Sequence, residues 1–354
     1  KLMYEKALEN ESLKLFTELL SVPSPTGREE LVAAKIMEIA SRWGYQAEQD
    51  YAGNVTVRVK GNGKSKRVTM LAAHMDEIGL VITGIDDDGK LRVGKLGGML
   101  PWKIGERPVD ILTDKRDTIV GSISFGTGHN QVGLQSVSWD LVRIITGLTP
   151  QELAEKGVRT GSVAVPLRAD VGPVLFGKED DPCIAAWTFD DRMGCANLLR
   201  LMKVMKEDKF TPNCDLVFAF SKQEEVKGNG IKLLTVRMQP DVLLCIDGGA
   251  PFKGSDVKIG GGVVAMTKDK LADYSFDVIL ALKEAAKAAG QNIQFSTTDA
   301  AYTDASLALQ AGGPMRVAHL GFTKENSHGY EVMHYSMLDI YFSVLYSFVK
   351  TFVP

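Results

Sequence analysis

The stretch LAAHMDEIGL, residues 71–80, decides how the chain is read. An uninterrupted apolar run stops at His74, Met75, Asp76 and Glu77, then resumes at Ile78. Such a run reads as a strand buried on both faces, as in parallel sheets covered by helices. An imidazole and carboxylates at its tip carry a desolvation cost that something must compensate. Other apolar runs stop in the same way. IAAWTF (184–189) is followed by Asp190 and Asp191, LVFAFSKQ (216–223) by Glu224 and Glu225, and VLLCI (242–246) by Asp247. VAHLGF (317–322) precedes an ENSH segment containing His328.

In open α/β sheets the carboxyl ends of neighbouring strands meet at one crevice, so residues far apart in sequence become close in space. Several carboxylates gathered there repel one another or take up protons, and a divalent cation removes that cost. Two imidazoles and four or more carboxylates exceed the three protein ligands of a single catalytic zinc. They suit a pair of ions sharing a bridging carboxylate. Taken singly, each piece has a plainer meaning: a satisfied histidine, a helix N-cap at Asp190-Asp191, a solvated Glu224-Glu225 turn, a turn at Asp247. His328 also competes with His319 and His334. The recurrence at five strand tips is what favours a metal centre.

Outward from these tips the chain alternates helices and strands. Helical patterns cover about residues 3–20 and 28–43, and strand patterns 54–61 and 67–73. From about 80 to 177 the texture changes to short alternating runs broken by Gly and Asp, with DDDG as a hairpin turn and one helix over 149–157. The α/β alternation returns after residue 180, with helices expected near 191–206, 229–236, 272–289, 304–311 and 336–351. The expectation is an α/β sandwich over residues 1–79 and 178–354, interrupted by a small β-rich domain over 80–177.

The totals narrow the function classes. The chain has 354 residues, a net charge of -3, and basic and acidic residues well mixed, so nothing favours nucleic acid or an anionic membrane surface. No apolar run approaches a bilayer-spanning length, and the charged opening segment is unlike a signal peptide. Four scattered cysteines without a CxxC pair read as reduced core residues of a cytoplasmic protein. GNGKS (61–65) echoes a phosphate loop, but Arg58 stands where its first glycine belongs and a strand follows.

The stretches AAHMDEIG, FDDRMGC, QEEV, CIDGG, YTDAS (302–306) and SHGYE, in this order, resemble the M42 metallopeptidases, the glutamyl and tetrahedral aminopeptidases. Their catalytic core is shared with M20, M28 and M18 peptidases. The resemblance implies a three-layer α/β/α zinc-peptidase-like sandwich with an inserted barrel-like domain that serves dimerisation or oligomerisation. It implies two divalent ions, zinc or cobalt. His74 and Asp247 would hold one, Glu225 and His328 the other, and Asp190 would bridge them. Asp76 would orient His74, Glu224 would be the general base, and the Asp190-Asp191 peptide would be cis. The implied activity is removal of N-terminal residues from short peptides by a cytoplasmic homo-oligomer, dimer-based and as large as a dodecamer. An M20-like deacylase or carboxypeptidase is the alternative, and a glycoside hydrolase a more distant one. The chain departs from the family pattern at TGHN (127–130), where relatives have Pro-His-Leu and where His129 stands. It departs again at KENSHGYE (324–331), for Arg-Tyr-x-His-Ser, and at AAYTDAS (300–306), for Gly-Gly-Thr-Asp.

Overall fold

A computed structural model of the chain describes residues 7–126, 137–180, 182–252 and 254–354. His129 lies outside the described residues. In chain order the strands are β1 (Glu48–Gln49), β2 (Val55–Val59), β3 (Val68–His74), β4 (Gly79–Ile85), β5 (Leu91–Leu96), β6 (Pro108–Leu112), β7 (Thr118–Ser124), β8 (Arg143–Ile145) and β9 (Val163–Pro166). They continue as β10 (Val174–Gly177), β11 (Pro182–Trp187), β12 (Asp215–Ser221), β13 (Val242–Gly249), β14 (Val263–Lys268), β15 (Ile293–Thr297), β16 (Arg316–Thr323) and β17 (Tyr330–His334).

Eight strands form one sheet in the order β1-β2-β12-β3-β13-β16-β14-β15. The period-two alternation of its central strands sorts side chains onto two faces. Leu71, Ala73, Leu216, Phe218, Phe220, Val242, Leu244 and Ile246 pack with helices Glu11–Leu20, Glu30–Arg42, Phe189–Glu207 and Met337–Thr351. Met70, Ala72, Val217, Ala219, Leu243 and Cys245 pack with helices Asn229–Met238 and Asp304–Gln310. Both faces are therefore covered, the three-layer arrangement expected of unbroken apolar strands. The four cysteines are unpaired, with Cys195, Cys214 and Cys245 buried.

Strands β12, β3, β13 and β16 run parallel, so their carboxyl ends share one edge of the sheet. Ser221 pairs with His74, and Cys245 with Ala72, which puts Asp247 level with His74 two residues further on. The register thus brings three tips to one line.

Two expectations change. CIAAWTF does not join the large sheet: β11 pairs with β10 and β17 in a separate three-stranded antiparallel sheet. An apolar run reports burial but not which neighbours bury it, and here Tyr330–His334 returns to cover that strand. The helix expected over about 3–20 is interrupted at Asn10. Asn10 is extended and its side chain accepts from the Ser12 and Leu13 amides, so it caps a new helix at Glu11.

The alternating runs close into a six-stranded barrel, β4-β5-β8-β7-β6-β9. It begins five residues beyond His74, at Gly79, where a Cβ would lie 2.7 Å from the Ala164 carbonyl oxygen. Only glycine lets the chain pass from sheet to barrel so closely.

Between them Glu77, fully buried, ties the parts together. Its carboxylate accepts from Arg168 through two nitrogens at 3.0 and 3.1 Å, from Trp187 Nε1 at 2.9 Å, from the Ser24 amide at 2.9 Å and from Arg192 at 3.3 Å. Burial raises the carboxyl's pKa, but the two guanidinium groups overcome it and hold the group ionised. Removing one partner of a buried charged network leaves the others uncompensated. Glu77→Ala is expected to destabilise the fold by about 3–5 kcal/mol in a denaturant titration; a loss below about 1 kcal/mol would show that the network is dispensable.

Candidate metal centre

His74 and Asp247 sit within the last residues of β3 and β13, whereas Asp190, Glu224, Glu225 and His328 come from short irregular segments. Thr188, Gln223, Lys227 and His328 hold positive φ values of 60, 57, 78 and 61° without being glycine. Such conformations persist only where the surroundings impose them. They flank Asp190, frame the Glu224–Val226 turn and place His328 itself.

The two adjacent aspartates, joined by a cis peptide, split their tasks. Asp191 behaves as the N-cap reading anticipates: its carboxylate accepts from the Gly194 amide at 3.1 Å, and also from the His74 amide at 3.1 Å. Asp190 faces the crevice. Its Oδ1 lies 2.9 Å from His74 Nε2, and its Oδ2 lies 3.9 Å from His328 Nε2. Glu225 Oε2 stands 3.6 Å from the same His328 nitrogen.

Three sets of possible ligand atoms have all members within 4.8 Å of one another: His74, Asp190 and Asp247; Asp190, Glu225 and His328; His74, Glu224 and Glu225. The first two sets share Asp190. A mixed imidazole and carboxylate donor set of this kind suits zinc or a neighbouring transition ion. His319 is not among them. It is buried, with Nε2 3.2 Å from the Gly248 carbonyl oxygen, and burial pushes it down to about 4.

Asp76 does more than the resemblance implies. Its carboxylate lies 3.4 Å from His74 Nδ1, accepts from Thr26 Oγ1 at 2.9 Å, and accepts from the Glu224 and Glu225 amides at 3.0 and 3.2 Å. One buried acid therefore fixes both the imidazole and the glutamate turn. Lys324 carries no signal of a site residue in the sequence. Its side chain is 1% exposed, and its ammonium meets Asp190 Oδ2 at 2.8 Å and also Glu331. A lysine two residues past an apolar run reads as a solvated turn; only the departure KENSHGYE marked the segment.

Asp190, Glu224, Asp247, Lys324 and His328 line a cavity of about 270 Å³ together with Leu100, Lys103, Phe252 and Tyr302. A larger groove of about 750 Å³ beyond Phe252 contains none of the clustered ligands, so the chemistry belongs to the smaller cavity.

The family model described as M42 glutamyl aminopeptidase matches residues 53–341. The chain belongs to the M42 family. A protein of Acetivibrio thermocellus is 31% identical over 87% of this chain and 90% of its own length. The glutamyl aminopeptidase of Lactococcus lactis is 27% identical over 67% of this chain and 65% of its own. Among solved structures, an aminopeptidase from Desulfurococcus kamchatkensis has a TM-score of 0.86 at 26% identity, covering 97% of this chain and 95% of that one. The TET1 peptidase of Pyrococcus horikoshii, which can assemble into a tetrahedron or a large octahedral shell, has a TM-score of 0.83 at 28% identity, covering 97% and 99%. The fold is that of M42 aminopeptidases, and the chain is a hydrolase of that family.

Within this cluster the charges are unequal to one another. Burial pushes Asp247 from 3.8 to about 8 and Glu225 from 4.5 to about 7, with Asp190 adding to both. Burial likewise drives Glu224 well above its ordinary value, with the Glu225 carboxylate adding to it and His74 opposing. Asp190 goes the other way: burial resists its ionisation, but Lys324 and His74 hold it well below the usual range.

Between the ordinary carboxyl values and about pH 8 the folded chain keeps protons on Asp247 and Glu225 that the unfolded chain has released. Protons bound only in the folded state make stability fall as pH rises. His74 and His328, both raised, act in the same direction once the unfolded imidazole has lost its proton. A cation replaces those protons, so its binding tightens over the same window. The Tm of metal-stripped protein is expected to fall from about pH 5 to about pH 8.5, while the gain on adding zinc or cobalt grows. A Tm that rises with pH in the stripped protein would contradict this electrostatic picture.

Proposed function

We propose that the protein is a two-ion aminopeptidase that removes N-terminal residues from short peptides. The observation that carries this reading is the pair of ligand sets sharing Asp190 beside Glu224, in a chain of the M42 family. In it, His74 and Asp247 would hold one ion and Glu225 and His328 the other, with Asp190 offering an oxygen to each. Zinc or cobalt is the ion the donors suit best. A pair of such ions supplies a water of lowered pKa and a Lewis acid for the scissile carbonyl.

The chain's own residues supply the rest. Glu224 is 6% exposed and opens into the cavity, with Oε2 4.0 Å from His74 Nε2. From there its carboxylate would take a proton from the attacking water and then deliver it to the leaving amine. Adjacent Glu225 has the other task because the turn aims it at His328, and Asp76 fixes both through their amides. His74 is kept in one orientation by Asp76, whose backbone carbonyl lies 3.1 Å from Nδ1.

We also assign the barrel-containing segment 80–177 to assembly and the rest to catalysis. The dodecamer of a TET1 relative and the shells of the Pyrococcus horikoshii enzyme support a homo-oligomer for this chain too. Among the described residues no helix is long and apolar enough to cross a membrane, and we place the enzyme in the cytoplasm. No observation favours the deacylase, carboxypeptidase or glycoside hydrolase readings over this one.

Glu224→Gln is expected to lower kcat by about 10²–10⁴-fold while metal content, read by elemental analysis, stays at the wild-type level. Activity retained in that variant would remove Glu224 from its role. Peptides with a free terminal amine are expected to be cleaved and their N-acetylated counterparts left intact, as product analysis by mass spectrometry will show. The opposite preference would favour the deacylase.

A further inference from the structure

Lys324 lies inside the cluster without belonging to any set of ligands. Its stem runs directly over Gly248, where a Cβ would fall 2.0 Å from Lys324 Cε, so the backbone beside Asp247 leaves room for it. The ammonium has three acceptors for its three hydrogens: Asp190 Oδ2 at 2.8 Å, Ser327 Oγ at 3.3 Å, and Glu331. Glu331 also accepts from the Asp190 amide at 3.0 Å, which fixes lysine and aspartate to the same anchor. The contact is therefore a built feature of the centre.

Its position makes the two halves unequal. Asp190 Oδ1 faces His74, on the side of Asp247, with no lysine near it in the hydrogen-bond pattern. Asp190 Oδ2 faces His328 and Glu225, and this is the oxygen that Lys324 already holds. An ion on the His328 side must share that oxygen with an ammonium or displace it, and is repelled by the ammonium's charge at short range. An ion on the His74 side shares no hydrogen-bonded oxygen with the ammonium, whose charge reaches Asp247 only through space.

We propose that Lys324 is a positioning residue that weakens the Glu225–His328 half of the centre relative to the His74–Asp247 half, making the former the exchangeable site. The proposal rests on the two-ion reading above and is tested separately from it. Metal-stripped enzyme is titrated with cobalt(II) by isothermal titration calorimetry. Wild type is expected to bind two ions in steps at least about tenfold apart in affinity. Lys324→Met is expected to tighten the weaker step by about tenfold or more and to leave the stronger step nearly unchanged. Lys324→Arg keeps the cation and is expected to keep the gap. Because Lys324→Met leaves Glu331 buried and unpaired, the Lys324→Met/Glu331→Gln double variant removes both charges and is read in the same way. Coincident steps in wild type, or a gap that survives in the Lys324→Met or double variant, overturns the role of Lys324. Failure of wild type to bind two ions overturns the two-ion reading itself, and this proposal with it.

Discussion

The structure turns on the crowding of buried carboxylates at one edge of the central sheet. Asp190, Glu224, Glu225 and Asp247 converge there, each with an oxygen within 4.8 Å of His74. Two like charges about 4 Å apart repel by about 4 kcal/mol at the effective dielectric of a protein site. A few such pairs would consume the whole of an ordinary domain's stability, about 5–15 kcal/mol. The chain does not relieve the crowding by spreading these groups apart. It holds them in place and lets protons, imidazoles and one buried lysine stand against them; burial, with the Asp190 charge adding to it, pushes Glu225 up to about 7 and Asp247 up to about 8. A site kept in that condition is one prepared for cations.

What holds it is backbone. Parallel pairing of β12, β3 and β13 sets His74 level with Ser221 and with the position of Asp247. Left-handed residues at Thr188, Gln223, Lys227 and His328 turn the chain sharply enough for neighbouring residues to point in different directions. Asp76 then reaches across to the glutamate turn by accepting two of its amides. The barrel side contributes the wall opposite: the Gly98 carbonyl oxygen lies 3.2 Å from His328 Nδ1, and Lys103 donates to the Ser327 carbonyl at 2.6 Å. The inserted segment thus touches the centre as well as standing apart from it.

Much of this was legible in the residues because strand burial has a clear signature. Unbroken apolar runs announced strands covered on both faces, their abrupt polar ends announced a shared edge, and short alternating runs announced the barrel. The missing parts depend on distant partners. That CIAAWTF pairs with Tyr330–His334 rather than with the large sheet is a choice between equally apolar neighbours. The network around Glu77 joins residues such as Ser24, Arg168 and Arg192, whose individual positions carry no periodic signal. Lysine is seldom fully buried without a partner, and the partners of Lys324, Asp190 and Glu331, become apparent only in three dimensions.

The most direct test of the central claim is anomalous diffraction from crystals of the purified protein equilibrated with cobalt. The account expects two peaks per chain, one among His74, Asp190 and Asp247 and one among Asp190, Glu225 and His328. Side chains in these positions with no peak between them, or peaks at other residues, would contradict it.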